Sequence, residues 1–176
     1  MSKRITIGKN GAFETVEVEL SDDVFWQNND TQPHFPVPWC TGLRMDPSKP
    51  SSSFSTFPTS SPNLPQKIVY GCAIPGHGSE QGVILVYNDF TLASLPLTAT
   101  AGQTTTVQVT NGGKSPYSIS APGAPPWVSF VETTPDSSSG FSAVLTNPPV
   151  GNVAFDLNTT DGLGKNIQQQ ITIDVT

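Results

Sequence analysis

The chain has 176 residues, a formal charge of −6 and charged side chains at only 12% of positions, set against 15 glycines and 17 prolines. That length fits one domain or two small ones. The acidic balance argues against nucleic-acid binding, which needs a cationic face, and no apolar run approaches the roughly 20 residues of a membrane span. Short β-branched runs punctuated by turn residues, with no sustained helical period, predict an all-β chain.

Ile5 and Ile7 alternate with polar residues and predict a first strand, followed by the turn Gly8-Lys9-Asn10-Gly11. Phe13, Val16, Val18 and Leu20 come next, with Glu14, Glu17 and Glu19 between them. This pattern predicts a strand with one buried and one wet face. Ser21-Asp22-Asp23 is a turn, and Val24-Phe25-Trp26 opens the next strand. Asn28-Asn29-Asp30 uses side chains that bond their own backbone, which fixes the direction of His34 four residues on. Phe35-Pro36-Val37-Pro38-Trp39 admits two readings. One is a proline-stiffened loop packed on a sandwich; the other is an apolar collar that excludes water and offers a docking patch. Residues 46–66 are rich in proline and serine and predict irregular surface chain, with Phe54 and Phe57 as plugs pinning it to the core.

Ile68-Val69-Tyr70 and Val83-Ile84-Leu85-Val86 predict two strands, so Gly71 to Gly82 closes a loop at one end of a sheet. That loop presents Cys72, His77 and Gln81 in quick succession. The only two histidines of the chain, His34 and His77, join Cys72 to supply two imidazoles and a thiolate. With a weak fourth donor, this set makes up a blue-copper electron-transfer site. Cys40, the other cysteine, has three readings: a buried thiol acting as a small hydrophobe, a disulfide with Cys72 that would destroy the site, or an additional metal ligand.

These residues resemble the cupredoxins, the blue-copper family that includes azurin and stellacyanin. Phe25-Trp26-Gln27-Asn28-Asn29-Asp30 followed by Pro33-His34 is similar to the strand and turn that deliver the family's first histidine. Cys72, His77 and Gln81-Gly82 have the spacing of the azurin ligand loop, and Ala73-Ile74-Pro75-Gly76-His77 is close to its wording. Azurin ends that loop on methionine; an amide such as Gln81 is similar to stellacyanin, at a different spacing. The resemblance covers residues 1 to about 90 and implies a cupredoxin-type Greek-key β-sandwich. It implies one copper per chain, held by His34, Cys72, His77 and axial Gln81, with Glu80 as the neighbouring alternative. It also implies one-electron transfer and no enzymatic activity. A redox partner protein is expected to dock near His77 and the Pro36–Trp39 loop. The expected location is outside the cytoplasm (periplasmic, secreted or at the cell surface), with a leader removed ahead of Met1.

The second domain is expected over residues 91–176, after a short apolar junction. Thr106-Val107-Gln108-Val109-Thr110 predicts a strand, and Asn111-Gly112-Gly113 a hairpin turn. Further strands are expected at Tyr117–Ser120, Phe141–Leu145, Val153–Leu157 and Ile171–Val175. Six or seven short strands at this spacing suggest an immunoglobulin-like β-sandwich. Pro126-Trp127-Val128-Ser129-Phe130, Asn147-Pro148-Pro149-Val150-Gly151 and Asp161-Gly162-Leu163-Gly164 resemble bacterial immunoglobulin-like modules of surface proteins. This half holds no cysteine or histidine. Asp156, Asp161 and Asp174 could be read as a calcium set, although scattered strand and turn aspartates are ordinarily solvated. Two functional alternatives remain beside copper electron transfer: a structural or adhesive surface module with a non-redox scaffold, and a copper-handling protein.

Overall fold

In the first strand, β1 (Ser2–Ile7), the side chains of Ile5 and Ile7 are both fully buried, as their alternation requires. β1 runs parallel to β3 (Asp23–Asn28), which turns Val24, Trp26 and Asn28 inward. β2 (Thr15–Glu19), β4 (Pro36–Val37), β5 (Gln66–Cys72) and β6 (Gln81–Tyr87) form a second sheet in the order β2-β6-β5-β4. There β2 is parallel to β6, while β6–β5 and β5–β4 are antiparallel. Ile5, Ile7, Val18, Val24, Trp26, Ile68, Tyr70, Ile84 and Val86 make one core between the sheets. This computed structural model describes residues 2–37, 65–132 and 140–176. Among them the helical content is a single 3-10 turn, Lys9–Gly11, and no helix is long and apolar enough to cross a membrane.

One expectation for this half fails. Glu19 belongs by alternation to the wet face of β2, yet it is buried. The Ser21-Asp22-Asp23 turn folds back on it: the Glu19 N–H donates to Asp22 Oδ2 at 3.0 Å, and the Asp22 N–H donates to the Glu19 carbonyl at 3.0 Å. A tight turn overrides the alternation of its last strand residue.

The chain separates into two compact units, Met1–Tyr87 and Asn88–Thr176. The division falls three residues before the expected one after residue 90, because Phe90 is buried in the second core. In that unit β8 (Leu97–Ala99), β11 (Ser118–Ser120), β14 (Gly151–Thr160) and β15 (Asn166–Val175) form one sheet in the order β11-β14-β15-β8. β9 (Thr105–Gln108), β12 (Val128–Glu132) and β13 (Phe141–Leu145) form the other, in the order β12-β13-β9. A short ribbon pairs β7 (Thr91–Leu92) with β10 (Thr110–Asn111). Phe141, Ala143 and Leu145 of one sheet meet Phe155, Leu157, Ile171 and Ile173 of the other in a single core. A four-stranded and a three-stranded sheet, with the short strand β8 parallel to the last strand, β15, make an immunoglobulin-like sandwich.

The Asn111-Gly112-Gly113 turn is not a hairpin. The strands before it, β9 and β10, pair with β13 and β7, whereas the strand after it, β11, pairs with β14 in the four-stranded sheet. Both glycines have positive φ (69° and 73°), and a Cβ at Gly112 would overlap the Asp89 carbonyl. The glycines therefore serve a tight crossing between sheets, a use that has the same sequence signature as a hairpin.

Candidate metal centre

Cys72 is the last residue of β5, and Glu80 immediately precedes β6. The ladder runs Tyr70↔Gly82 and Gly71↔Gln81, and the Cys72 N–H donates to the Glu80 carbonyl at 3.2 Å, so Cys72 and Glu80 are cross-strand neighbours. Side chains alternate across a strand. Cys72 therefore shares the inward face with Ile68 and Tyr70, and Glu80 shares it with Gly82, Ile84 and Val86. Between them the His77 N–H donates to the Ile74 carbonyl, and the Glu80 N–H to the His77 carbonyl, each at 3.0 Å. These two tight turns fold His77 back over the sheet end.

His34 arrives from the other side. It is fully buried, and its ring packs edge-on against Phe13 and His77 at centroid distances of 5.9 and 5.2 Å. Phe13 contacts Tyr70, which contacts Trp26, so a run of rings ties the imidazole to the core. His34 Nε2 lies 3.1 Å from Asp30 Oδ2. Asp30 is itself clamped: its carboxylate accepts from the Thr31 N–H at 2.7 Å and the Gly11 N–H at 2.9 Å, and its own N–H donates to Asn28 Oδ1. The Thr31 N–H first, then the His34 ring, hold the Asp30 carboxyl down to about 2. The Asn-Asn-Asp turn thus aims the histidine as the sequence suggests, with Asp30 as its direct partner.

Four donors converge. The ligand atoms of His34, Cys72, His77 and Glu80 all lie within 4.8 Å of one another. Glu80 Oε2 is 2.9 Å from His34 Nδ1 and 3.0 Å from His77 Nδ1, and Cys72 Sγ is 3.7 Å from His77 Nδ1. The Phe35 N–H donates to Cys72 Sγ at 3.3 Å. Four ligands bonded at about 2.0–2.3 Å to one ion sit roughly 3.3–3.8 Å from each other. The donor set therefore approaches the spacing of a first-row metal site, with the Glu80 contacts opening by a few tenths of an ångström and the widest separations, up to 4.8 Å, closing. A nucleophile–histidine–acid relay would use opposite ring nitrogens of its histidine. His77 instead turns the same Nδ1 to both Cys72 and Glu80, the geometry of a shared centre.

Three of the four expected residues, His34, Cys72 and His77, meet, and Glu80 joins them. Gln81 is exposed and pairs with Gly71 on the outward face of the sheet, one residue out of phase with the donors. Family spacing favours Gln81, whereas strand parity favours Glu80. The alternation Gly82, Ile84, Val86 was the available signal. Cys72 carries a free thiol. Pro36 is buried beside Cys72 in the β4–β5 pairing, and Pro75 and Gly76 are exposed next to His77. Pro38, Trp39, Cys40, Phe54 and Phe57, on which the collar, thiol and plug expectations fall, lie outside the described residues.

The three aspartates of the calcium reading do not converge. Asp161 is buried, and its carboxylate accepts from the N–H groups of Lys114, Leu163 and Lys165 at 2.8–3.0 Å. Asp156 pairs across from Gln170 and Asp174 across from Asn152, four residues apart along the ladder, or about 13 Å at the rise of a strand.

No family model and no curated protein matches this chain. Among solved structures, the BIgI domain of the beta protein from S. agalactiae bound to CEACAM1 is similar over 50% of this chain and 95% of its own, at 14% identity and TM-score 0.34. A Dpr2 Ig1-Ig2 structure in complex with DIP-Theta Ig1-Ig3 is similar over 94% of this chain and 62% of its own, at 10% identity and TM-score 0.48. A multicopper oxidase is similar over 99% of this chain and 88% of its own, at 11% identity and TM-score 0.32. At these values the likenesses carry no argument about activity.

Proposed function

We propose that the first unit is a mononuclear copper electron-transfer module of the cupredoxin kind, and that the immunoglobulin-like unit serves it as spacer or interaction module. One copper ion is held by His34, Cys72, His77 and Glu80. The observation that carries this reading is the convergence of two Nδ1 atoms, one sulfur and one carboxylate oxygen on a single point. The pairings β1 with β3 and β2 with β6, both parallel, support it, as does the sequence resemblance around His34 and Cys72.

Bound copper would supply a one-electron couple; the chain supplies the rest. Cys72 ligates as a thiolate, and the Phe35 N–H directed at its sulfur tunes the couple. Asp30 fixes the His34 ring, and full burial keeps that ring from swinging when the charge changes. Glu80 contributes a hard anionic oxygen, which favours the oxidised ion more than the neutral amide of Gln81 would. Four protein donors leave no position for a substrate, which favours electron transfer over catalysis. His77, whose side chain is 22% exposed against 0% for His34, is the route to the surface. A redox partner protein would meet it there, beside Pro75 and Gly76 and near the start of the Pro36–Trp39 segment. The proposed location remains outside the cytoplasm.

One observation favours a second reading. Glu80 Oε2 bridges both imidazoles at hydrogen-bond distance, so the site closes on itself as a clasp without any ion. That would leave a structural scaffold. Titrating the reduced protein with copper(II) separates the two. The electron-transfer reading predicts an intense thiolate-to-copper charge-transfer band that saturates at one equivalent and is absent from Cys72→Ser. A wild-type protein that stays colourless with its thiols reduced is the scaffold.

A further inference from the structure

Gly11 ends the 3-10 turn between β1 and β2 and is buried. It follows Asn10 at φ 62° and itself has φ 68°, so two successive residues take the left-handed conformation. That conformation aims the chain at the metal centre. A Cβ at Gly11 would overlap Oε1 and Cδ of Glu80 and come within 2.9 Å of its Cγ. At the same time the Gly11 N–H donates to Asp30 Oδ2, the atom that also holds His34 Nε2. One residue remote in sequence from the ligand loop thus touches the fourth donor directly and orients the first histidine through Asp30.

We infer that Gly11 is a positioning residue of the metal centre. Its missing side chain is the space in which the Glu80 carboxylate turns toward His34 and His77. The need for glycine comes from Glu80 as well as from the backbone. Asn10 shows that this turn tolerates a side chain at positive φ, although a β-carbon there carries some strain. Gly8, at the other end of the turn, provides the contrast: a Cβ there would meet only ordinary contacts with Ala12 at 3.5 Å. This inference rests on Glu80 being the fourth donor.

The test uses Gly11→Ala, Gly8→Ala, Glu80→Ala and the Gly11→Ala/Glu80→Ala pair. The first measurement is the long-range 1H–15N spectrum of the two imidazoles in the metal-free full chain. Gly11→Ala is expected to shift the His34 and His77 ring nitrogens in the direction that Glu80→Ala does, and Gly8→Ala to leave them in place. Wild-type imidazole shifts in Gly11→Ala overturn the inference, whether or not the protein takes up copper. The second measurement is copper(II) affinity. It should fall about 10–100-fold in either single variant, and no further in the pair, because an absent carboxylate cannot be displaced. Independent, multiplying losses would overturn the inference. If Gly11→Ala fails to fold, the pair decides: folding restored by Glu80→Ala supports the clash, and a pair equally unable to fold assigns the glycine to backbone conformation alone.

Discussion

The two units partner their carboxylates in opposite ways. In the immunoglobulin-like unit Asp161 is surrounded by backbone: the N–H groups of Lys114, Leu163 and Lys165 satisfy both of its oxygens and lock the β14–β15 connection. In the first unit Glu80 Oε2 faces two imidazole Nδ1 atoms, with a thiol beyond one of them. Asp161 is buried and Glu80 half-buried, and withdrawing a carboxylate from water is costly unless it is paired. Partners drawn from the backbone are fixed in number and proton content, so they make a clasp. Partners drawn from titratable, metal-ligating side chains make a site whose state can change. That contrast, more than the strand content of either half, points to residues 1–87 as the place of the candidate metal centre.

The largest test of the comparison is to cut each core. Trp26→Ala and Phe141→Ala each remove a fully buried ring and should cost about 3–5 kcal/mol in denaturant unfolding. The charge-transfer band should be lost only as the first unit unfolds, and Phe141→Ala should leave it intact. Metal removal comes next. Copper at a thousand times its dissociation constant adds about 4 kcal/mol to whatever it binds. Hydrogen exchange should therefore slow across β5 and β6 on copper addition while β14 and β15 keep their rates. Slowing in β14 and β15 instead would place the ion in the wrong unit.

A smaller effect is expected from Asp161→Asn. One backbone N–H loses its acceptor, at about 1–3 kcal/mol, with copper affinity unchanged. The smallest concerns Tyr70, whose hydroxyl donates to the Glu14 carbonyl at 2.6 Å. Burial, and then the Glu14 charge, raise its pKa well above the ordinary tyrosine value. The folded state therefore favours the neutral phenol. Stability from this source is complete below about pH 10 and is lost as pH rises further, because the unfolded chain releases the proton first. Tyr70→Phe should flatten that alkaline limb in a pH-dependent unfolding series.

Much of this contrast was legible in the chain, and the misses share a cause. Phe141–Leu145 reads as a strand because each of its positions is apolar or small, and its limits match. β14 and β15 are legible only at Val153–Leu157 and Ile171–Val175. Their remaining halves, including Gln168-Gln169-Gln170, are held by pairing with each other and carry no apolar alternation. His34, Cys72 and His77 stand out because few residue types can ligate copper. Glu80 stood only as the alternative to Gln81, because counting along the loop favours Gln81 whereas strand parity sets the direction of a side chain. Gly11 was invisible as more than a turn residue, since its contact with Glu80 spans 69 positions and exists only once β1, β2 and β6 are assembled.

The most direct measurement of the central claim is the midpoint potential of the copper-loaded protein, with Glu80→Gln and Gln81→Met beside the wild type. A reversible one-electron couple is expected. Glu80→Gln should raise it by about 60 mV or more, which corresponds to a tenfold loss in preference for the oxidised ion, while Gln81→Met should leave it in place. An irreversible response, or a midpoint that rises with Gln81→Met and ignores Glu80→Gln, would contradict that claim.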